Sequence, residues 1–256
     1  MAAAYLSVVI ITHNEAKNIA RCMDSVQGVA DEVIVMDSFS SDNTPSIVKE
    51  KGGILHQQQF AGYGAQKNDA SALASGAFIL FLDADELLSD DLQKDILEQK
   101  AAGFPYDGYT MNRLNNYCGQ WIRHGSWYPD NKLRLVNKKK GYWSADQVHE
   151  HIIMSGTCEL SQLKGDLMHY AYSTMSEHIY KNNNYSELSA QRLLQKGRRS
   201  NGFTLVINPF WAFVHSYIIK LGFLDGTNGF IIAINIAHLT FLKYAKLYQM
   251  QQGKGL

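Results

Sequence analysis

The sequence predicts an α/β fold, a mostly parallel sheet flanked by helices, followed by a helical C-terminal extension. Three observations predict it. Short β-branched apolar runs alternate with helically spaced segments in the first half, the pattern of βαβ units. Polar clusters follow three of those apolar runs, at the strand ends where ligands gather in such sheets. From residue 173 the pattern turns helical, and from Phe203 it becomes strongly apolar and aromatic.

Residues 6–12 form a β-branched run and read as a buried strand. Residues 16–26 carry Ile19, Met23 and Val26 at helical spacing. Residues 32–37 read as a second buried strand, and Asp42 opens a helix with Ile47 and Val48 on its inner face. Residues 54–57 give a short third strand, 65–73 a helix and 78–82 another buried strand. Ser89-Asp90 starts a further helix. The stretch 106–156 differs in being rich in aromatic residues, His and Arg, with one strand at 132–136. Residues 173–196 are polar, with Ile179, Tyr185, Leu188 and Leu193 spaced as on a helix. Two domains are expected, a sheet domain over 1–172 and a helical extension over 173–256.

Of 256 residues, 46% are hydrophobic and 19% charged, a globular composition. Lys plus Arg number 24 and so do Asp plus Glu, which removes the electrostatic footprint of a nucleic-acid binder while allowing a local basic face. Cys22, Cys118 and Cys158 are odd in number and lack paired spacing, so neither a disulfide framework nor a zinc ribbon is expected. The N-terminus has no basic segment followed by a long apolar one, so no secretory signal is expected and a cytoplasmic location follows.

Asp83-Ala84-Asp85 is the sharpest chemical signal. Two carboxylates one residue apart at a strand end repel unless a positive charge neutralises them. A divalent cation with oxygen ligands would do so and could bridge to a diphosphate. A solvated turn would also read this way, but the buried run before it favours a site. The first strand is followed by Thr12-His13-Asn14-Glu15 instead of a glycine-rich turn, against a dinucleotide-dependent oxidoreductase or a sugar nucleotidyltransferase. His149-Glu150-His151 lacks the spacing of a helical zinc site.

The strings SVVIITHNE at 7–15, DEVIVMDSFSSDNT at 31–44, QKN at 66–68 and GAFILFLDADE at 76–86 resemble the family-2 glycosyltransferases of the GT-A fold. The resemblance implies a donor-nucleotide site formed by Thr12, Asn14, Glu15, Asp37, Lys67 and Asp83. It implies that Asp37 recognises the uracil or ribose and that Asp85 holds Mg2+ or Mn2+. Phe39 stands where many relatives have Gly, so that loop is expected to differ locally. A narrower resemblance spans nearly the whole chain. GYGAQKN at 62–68, WIRHGSWYPD at 121–130, VHE at 148–150, GDLMHY at 165–170, LGFLDG at 221–226 and FLKYAK at 241–246 are similar to the bacterial lipopolysaccharide-core β-glucosyltransferases. That similarity implies an inverting enzyme using UDP-glucose and a lipid-linked glycan acceptor at the inner membrane.

An inverting transfer needs one base for the acceptor proton. Glu150 stands in the position of the family's base motif, with Asp146 as the other candidate. His169 stands in the right order to complete the metal shell. Arg123, His124, Trp127 and Arg134 are candidate sugar or diphosphate contacts, although the tryptophan could equally be core. The QxxRW motif of processive synthases is absent, so one sugar per encounter is expected. A non-catalytic scaffold that kept the fold stays open as the non-enzyme alternative.

The tail has apolar stretches at 203–219 and 230–242, interrupted by Asn208-Pro209 and His215 and by Asn235 and His238. A spanning helix needs about 20 predominantly apolar residues, so neither stretch is expected to span. Lys196, Arg198, Arg199, Lys220, Lys243 and Lys246 border them. Basic flanks with aromatic anchors suit helices lying in an anionic headgroup layer, so a membrane surface is an expected partner. A soluble helical cap is the alternative.

Overall fold

The computed structural model describes residues 5–144 and 150–253. The chain forms two compact units, one of residues 1–113 and 130–169, the other of residues 114–129 and 170–256. The strands are β1 (Leu6–Thr12), β2 (Glu32–Asp37), β3 (Ile54–Gln57), β4 (Phe78–Asp83), β5 (Glu86–Leu88), β6 (Gly108–Tyr117), β7 (Gln120–Ile122), β8 (Asn131–Asn137), β9 (Gly141–Trp143), β10 (Ile152–Met154) and β11 (Leu160–Tyr172). The helices of the first unit are α1 (Ile19–Val26), α2 (Thr44–Glu50), α3 (Tyr63–Leu73) and α4 (Asp90–Ala101).

The main sheet runs β3-β2-β1-β4-β8-β6-β11-β5, with β7 paired to the end of β6. Its first four strands are parallel; β8 joins β4 and β6 antiparallel and β5 joins β11 antiparallel, while β6 and β11 run in the same direction, the Asp107 N–H donating to the Glu159 carbonyl and the Cys118 N–H to the Tyr172 carbonyl, each at 2.9 Å. The β-branched run of β1 is buried along its whole length because helices cover both faces, as parallel sheets require. Alternation sorts the side chains. Leu6, Val8 and Ile10 of β1 join Leu80 and Leu82 of β4 in packing on Ile19, Met23 and Val26 of α1 and Leu92 and Ile96 of α4. Val9 and Ile11 go to the other face with Ile79, Phe81, Ala70 and Trp143. The expected strands and helices are present. α2 starts at Thr44 instead of Asp42, because the Asp42 carboxylate accepts the Thr44 N–H at 2.9 Å and so stands outside the first turn.

Register sets the rim. Thr12 lies opposite Asp37, and Ile11 opposite Asp83, so the polar ends of β1, β2 and β4 share one edge of the sheet. The sheet also curls. In a flat sheet the four steps from β4 through β8, β6 and β11 to β5 would cover roughly 19 Å. Asp83 and Glu86 are only three residues apart, a reach of at most about 11 Å. Curling brings β5 and its partner β11 back to the end of β4, with His169 opposite Glu86.

The second unit contains β7, a 3-10 turn (Gly125–Trp127), α5 (Met175–Gln195), α6 (Gly202–Val214), a π-helical turn (His215–Ile219), another 3-10 turn (Gly222–Asp225) and α7 (Gly226–Gln251). α6 opens on a capping box in which the Asn201 side chain takes the Thr204 N–H and the Thr204 hydroxyl takes the Asn201 N–H. α7 passes so close to the preceding turn that a Cβ at Gly229 would lie 1.9 Å from the Gly222 carbonyl oxygen, so only glycine fits there.

The helices outrun the apolar stretches. The α6 segment with its π turn covers residues 202–219, and the last apolar segment covers 222–251; both are long and apolar enough to cross a membrane by length and composition alone. The expectation that the stretches fall short or are interrupted is corrected as to length and composition only. Helix propagation does not stop where hydrophobicity does, and Lys243 and Lys246 are good helix formers inside α7. α6 has no buried residue; Phe203, Val206, Ile207, Phe210 and Trp211 form an exposed apolar stripe at helical spacing.

An aromatic cluster centres this unit. Trp127 stacks on Tyr172 with centroids 5.6 Å apart, Tyr117 packs edge-on against both, and His178 packs edge-on against Trp127 and tilted against Tyr172. Burial, helped by the nearby Lys181 charge, pushes the His178 imidazole down to about 4. The folded state therefore keeps this histidine neutral, whereas an unfolded histidine takes up a proton near pH 6.5. Stability from this group is complete above about pH 6.5 and falls as pH drops toward 4, with a loss of roughly 3 kcal/mol. Thermal unfolding followed by tryptophan fluorescence between pH 7.5 and 4.5 should show this slope, and His178→Phe should flatten it even if the variant is less stable throughout.

Candidate active site

The first two rim loops are laced together by their own short polar side chains. The Asn14 N–H donates to Ser40 Oγ at 2.8 Å, and the Ser41 N–H donates to Asn14 Oδ1 at 2.8 Å. The Glu15 N–H donates to Thr44 Oγ1 at 2.9 Å, and the Ala16 N–H to Asp42 Oδ2 at 3.1 Å. Asn14 and Phe39 both adopt positive φ, at 55° and 56°. That conformation costs a glycine little and a phenylalanine more. Asp37 is fully buried beneath these loops. Its carboxylate accepts the Ser40 N–H at 2.9 Å, the Ser40 hydroxyl and Gln57 Nε2 at 3.0 Å. Thr12 Oγ1 is buried at the same rim, with no hydrogen-bond partner among the described residues.

Asp83 closes β4 between two cations. Lys67 Nζ lies 2.8 Å from Asp83 Oδ1, and Arg134 Nη2 lies 3.1 Å from Asp83 Oδ2. Burial alone would push the Asp83 carboxyl up, but the Lys67 and Arg134 charges outweigh it and hold the group well below the usual carboxylate range. Arg134 also reaches Glu86 Oε1 at 2.9 Å, and Arg113 Nη1 stands 3.7 Å from the same oxygen. Burial would lower the Arg134 guanidinium, yet Glu86 and Asp83 raise it further, so it stays charged. Glu86 completes the turn by accepting the Asp83 N–H at 3.0 Å.

α3 builds one wall of this cluster. Lys67 is only 2% exposed and lies over the Trp143 ring at 4.2 Å. Asn68 grips the backbone of Trp143 on both sides, accepting its N–H at 2.8 Å and donating to its carbonyl at 2.9 Å. A Cβ at Gly64 would lie 2.2 Å from the Ser144 carbonyl oxygen, so α3 can sit this close only with glycine there. Gly64, Lys67 and Asn68 are spaced to share one helix face.

Asp85 stands apart from the buried cations. Its side chain is 25% exposed, and its Oδ2 lies 3.4 Å from His169 Nε2. No group of three metal-ligating side chains occurs among the described residues. Asp85 and His169 instead offer one carboxylate and one imidazole at an open position. Such a pair fits Mg2+ or Mn2+ with most of its shell supplied by a ligand's oxygens and by water.

The other expected site residues are distributed as follows. Glu150 is half-buried beside His151, whose carbonyl accepts the Ser144 N–H at 2.9 Å. Asp146 lies outside the described residues. Arg123, His124 and Trp127 belong to the second unit. There the Asp225 carboxylate accepts the N–H groups of Arg123 at 3.2 Å and His124 at 2.8 Å, and Trp127 is part of the aromatic cluster. Glu86 and Trp143 are the participants that sequence patterning leaves out. Glu86 carried a signal in being a carboxylate directly after the motif, whereas Trp143 meets Lys67 only through the fold.

Arg134→Leu should strand the buried Glu86 with Arg113 alone and leave Asp83 with Lys67 alone. A cost of about 3–5 kcal/mol is expected, read as a lower urea midpoint. Adding Glu86→Leu to that variant should recover much of the loss.

Residues 7–155 match the family model described as Glycosyl transferase family 2. An uncharacterized glycosyltransferase of Rickettsia prowazekii is 32% identical over 252 residues, covering 94% of this chain and 86% of that protein. The lipopolysaccharide core biosynthesis glycosyltransferase LpsC of Rhizobium meliloti is 30% identical over 250 residues, covering 95% and 92%. Among solved structures, the mannosyltransferase PcManGT of Pyrobaculum calidifontis, in complex with GDP-Man and Mn2+, superposes with a TM-score of 0.55 at 15% identity over 96% of this chain and 88% of that one, a likeness of fold. With its curled sheet, its rim of polar strand ends and its Asp83-Ala84-Asp85 turn, the chain belongs to glycosyl transferase family 2 and has the GT-A fold.

Proposed function

We propose that this glycosyltransferase transfers one hexose, glucose from UDP-glucose, to a hydroxyl of a lipopolysaccharide-core or other lipid-linked glycan, with inversion and without processivity. The observation that carries the reading is the division of the motif: Asp83 is neutralised by Lys67 and Arg134, while Asp85 stands beside His169. The relative LpsC, named for lipopolysaccharide core biosynthesis, supports the acceptor class. Glucose, UDP and inversion rest on the sequence resemblance.

In this reading the nucleotide lies along the rim between the Thr12–Glu15 loop and Asp37, with Asp83 near the ribose. Asp85 and His169 hold Mg2+ or Mn2+, which when bound supplies positive charge to the departing diphosphate. The acceptor oxygen attacks the anomeric carbon, the bond from that carbon to the diphosphate oxygen breaks, and a carboxylate takes the acceptor proton. Glu150 is the base we favour and Asp146 the alternative. Arg123, His124, Trp127 and Arg134 stay candidate contacts for the sugar or diphosphate.

The enzyme is further proposed to lie on the cytoplasmic face of the inner membrane without crossing it. The exposed α6 stripe of Phe203, Val206, Ile207, Phe210 and Trp211 supports this, as do its basic flanks.

A screen of nucleotide sugars for Mg2+- or Mn2+-dependent release of nucleoside diphosphate should find UDP-glucose active, and Asp85→Ala should abolish both release and metal-dependent donor binding with the fold intact. Unchanged metal-dependent nucleotide affinity in that variant, measured by calorimetry, would overturn the metal role. Glu150→Gln should keep donor affinity and lose about 10²–10⁴ in transfer rate. If it turns over normally while Asp146→Asn is dead, Asp146 is the base.

A further inference from the structure

The chain is neutral as a whole, but its charge is segregated. Residues 114–129 and 170–256, the second unit, carry ten Lys and Arg against three Asp and Glu. The first unit carries fourteen against twenty-one. The three acidic side chains of the second unit are all engaged. Glu177 pairs with Lys181 at 3.1 Å, Glu187 stands 3.9 Å from Lys246, and Asp225 holds His124 at 3.1 Å.

Three cations with no carboxylate partner among the described residues line one cavity in this unit. Ser189, Arg192, Leu193 and Lys196 fall at i, i+3, i+4 and i+7 along α5 and its C-cap, and Lys243 of α7 completes the lining. The cavity volume is about 300 Å³. Small buried residues on the adjoining face of α5, Ser186 and Ala190, suit its packing against α7. Lys243 is half-buried, and burial pushes its amine down from the ordinary lysine value. Three like charges around one cavity repel, and an anion inside it would relieve the repulsion.

The donor set selects among anions. A guanidinium fork, two ammonium groups and a hydroxyl offer more N–H and O–H donors than a carboxylate's two oxygens can use, and they match the several oxygens of a phosphate. The volume leaves room for the ester substituent. We propose that this cavity is a binding site for a phosphate group, and that an anionic phospholipid headgroup is the source. The lipid source rests on the membrane-surface reading above; the phosphate chemistry does not. The placement suits that source. The α7 end fixes the link that follows α5, because Gln251 accepts the Ser200 N–H at 3.2 Å and donates to the Arg198 carbonyl at 3.0 Å. Within the next few residues that link enters α6 and its exposed apolar stripe.

The test uses the full chain, glycerol 3-phosphate and vesicles of phosphatidylglycerol or phosphatidylcholine. Arg192→Gln/Lys196→Gln changes two exposed helix positions and should fold; Lys243→Met is the second variant. Arg198→Gln/Arg199→Gln removes two neighbouring charges outside the cavity. Glycerol 3-phosphate should raise the melting temperature of the wild type over chloride at equal ionic strength, and this shift should vanish in both cavity variants and persist in the control. Affinity for phosphatidylglycerol vesicles should fall about fivefold per cavity cation removed, and by less per cation in the control. Equal effects of the cavity and control pairs on vesicle binding, with no phosphate-dependent shift, would overturn the proposal. If the wild type ignores both kinds of vesicle but keeps the cavity-dependent shift, the phosphate site stands and both the lipid source and the membrane-surface reading fall.

Discussion

Asp83 and Glu86 are acidic groups placed at the end of a buried strand, where water cannot solvate both. Folding is tolerable there only because Lys67 comes from α3, Arg134 from β8 and Arg113 from β6 to meet them. Lys67 and Arg134 are themselves drawn out of water, so removing either of them or a partner leaves a buried charge unpaired. This coupling ties the first, parallel strands of the sheet to β8 and β6. It also explains the curl, since the turn after β4 must remain within reach of side chains from β6 and β8 while β5 pairs with β11.

The same constraint separates the roles of the two motif aspartates. Lys67 and Arg134 neutralise Asp83, which makes it a fixed anchor. Asp85 has His169 beside it instead, 3.4 Å away. Cys22 lies in the same region, its Sγ 3.7 Å from the Asp83 carbonyl, but burial and the surrounding carboxylates push its thiol well up and leave it an inert packing group. α3 links this anchor to the segment that carries Glu150. One face of the helix delivers Lys67 to Asp83 and holds β9 through Asn68 and Gly64.

The second unit follows different physics. Its centre is a cluster of aromatic rings around a neutral histidine, and its helices leave an apolar stripe and uncompensated positive charge exposed. Phe203 is 72% exposed, and an apolar face on that scale is unusual for a surface that meets only water. Apolar exposure beside excess positive charge is the combination that an anionic interface would satisfy.

Local pattern was enough for the order of strands and helices, because strand and helix periods are written into neighbouring residues. It was enough to place Thr12, Asp37 and Asp83 at strand ends, and the register put them on one edge. It also carried the family, through ordered motifs that the comparisons match. Long-range pairing settled what local pattern could not. Residues 114–129 sit with the C-terminal helices, because Tyr117 and Trp127 pack on Tyr172 and His178 from far along the chain. Trp143 lies under Lys67 only because β9 crosses α3. Helix lengths in the tail exceeded the apolar runs, since backbone hydrogen bonding continues through polar residues that favour helix. The overall neutrality of the chain concealed two oppositely charged halves, because a sum over sequence has no positions in it.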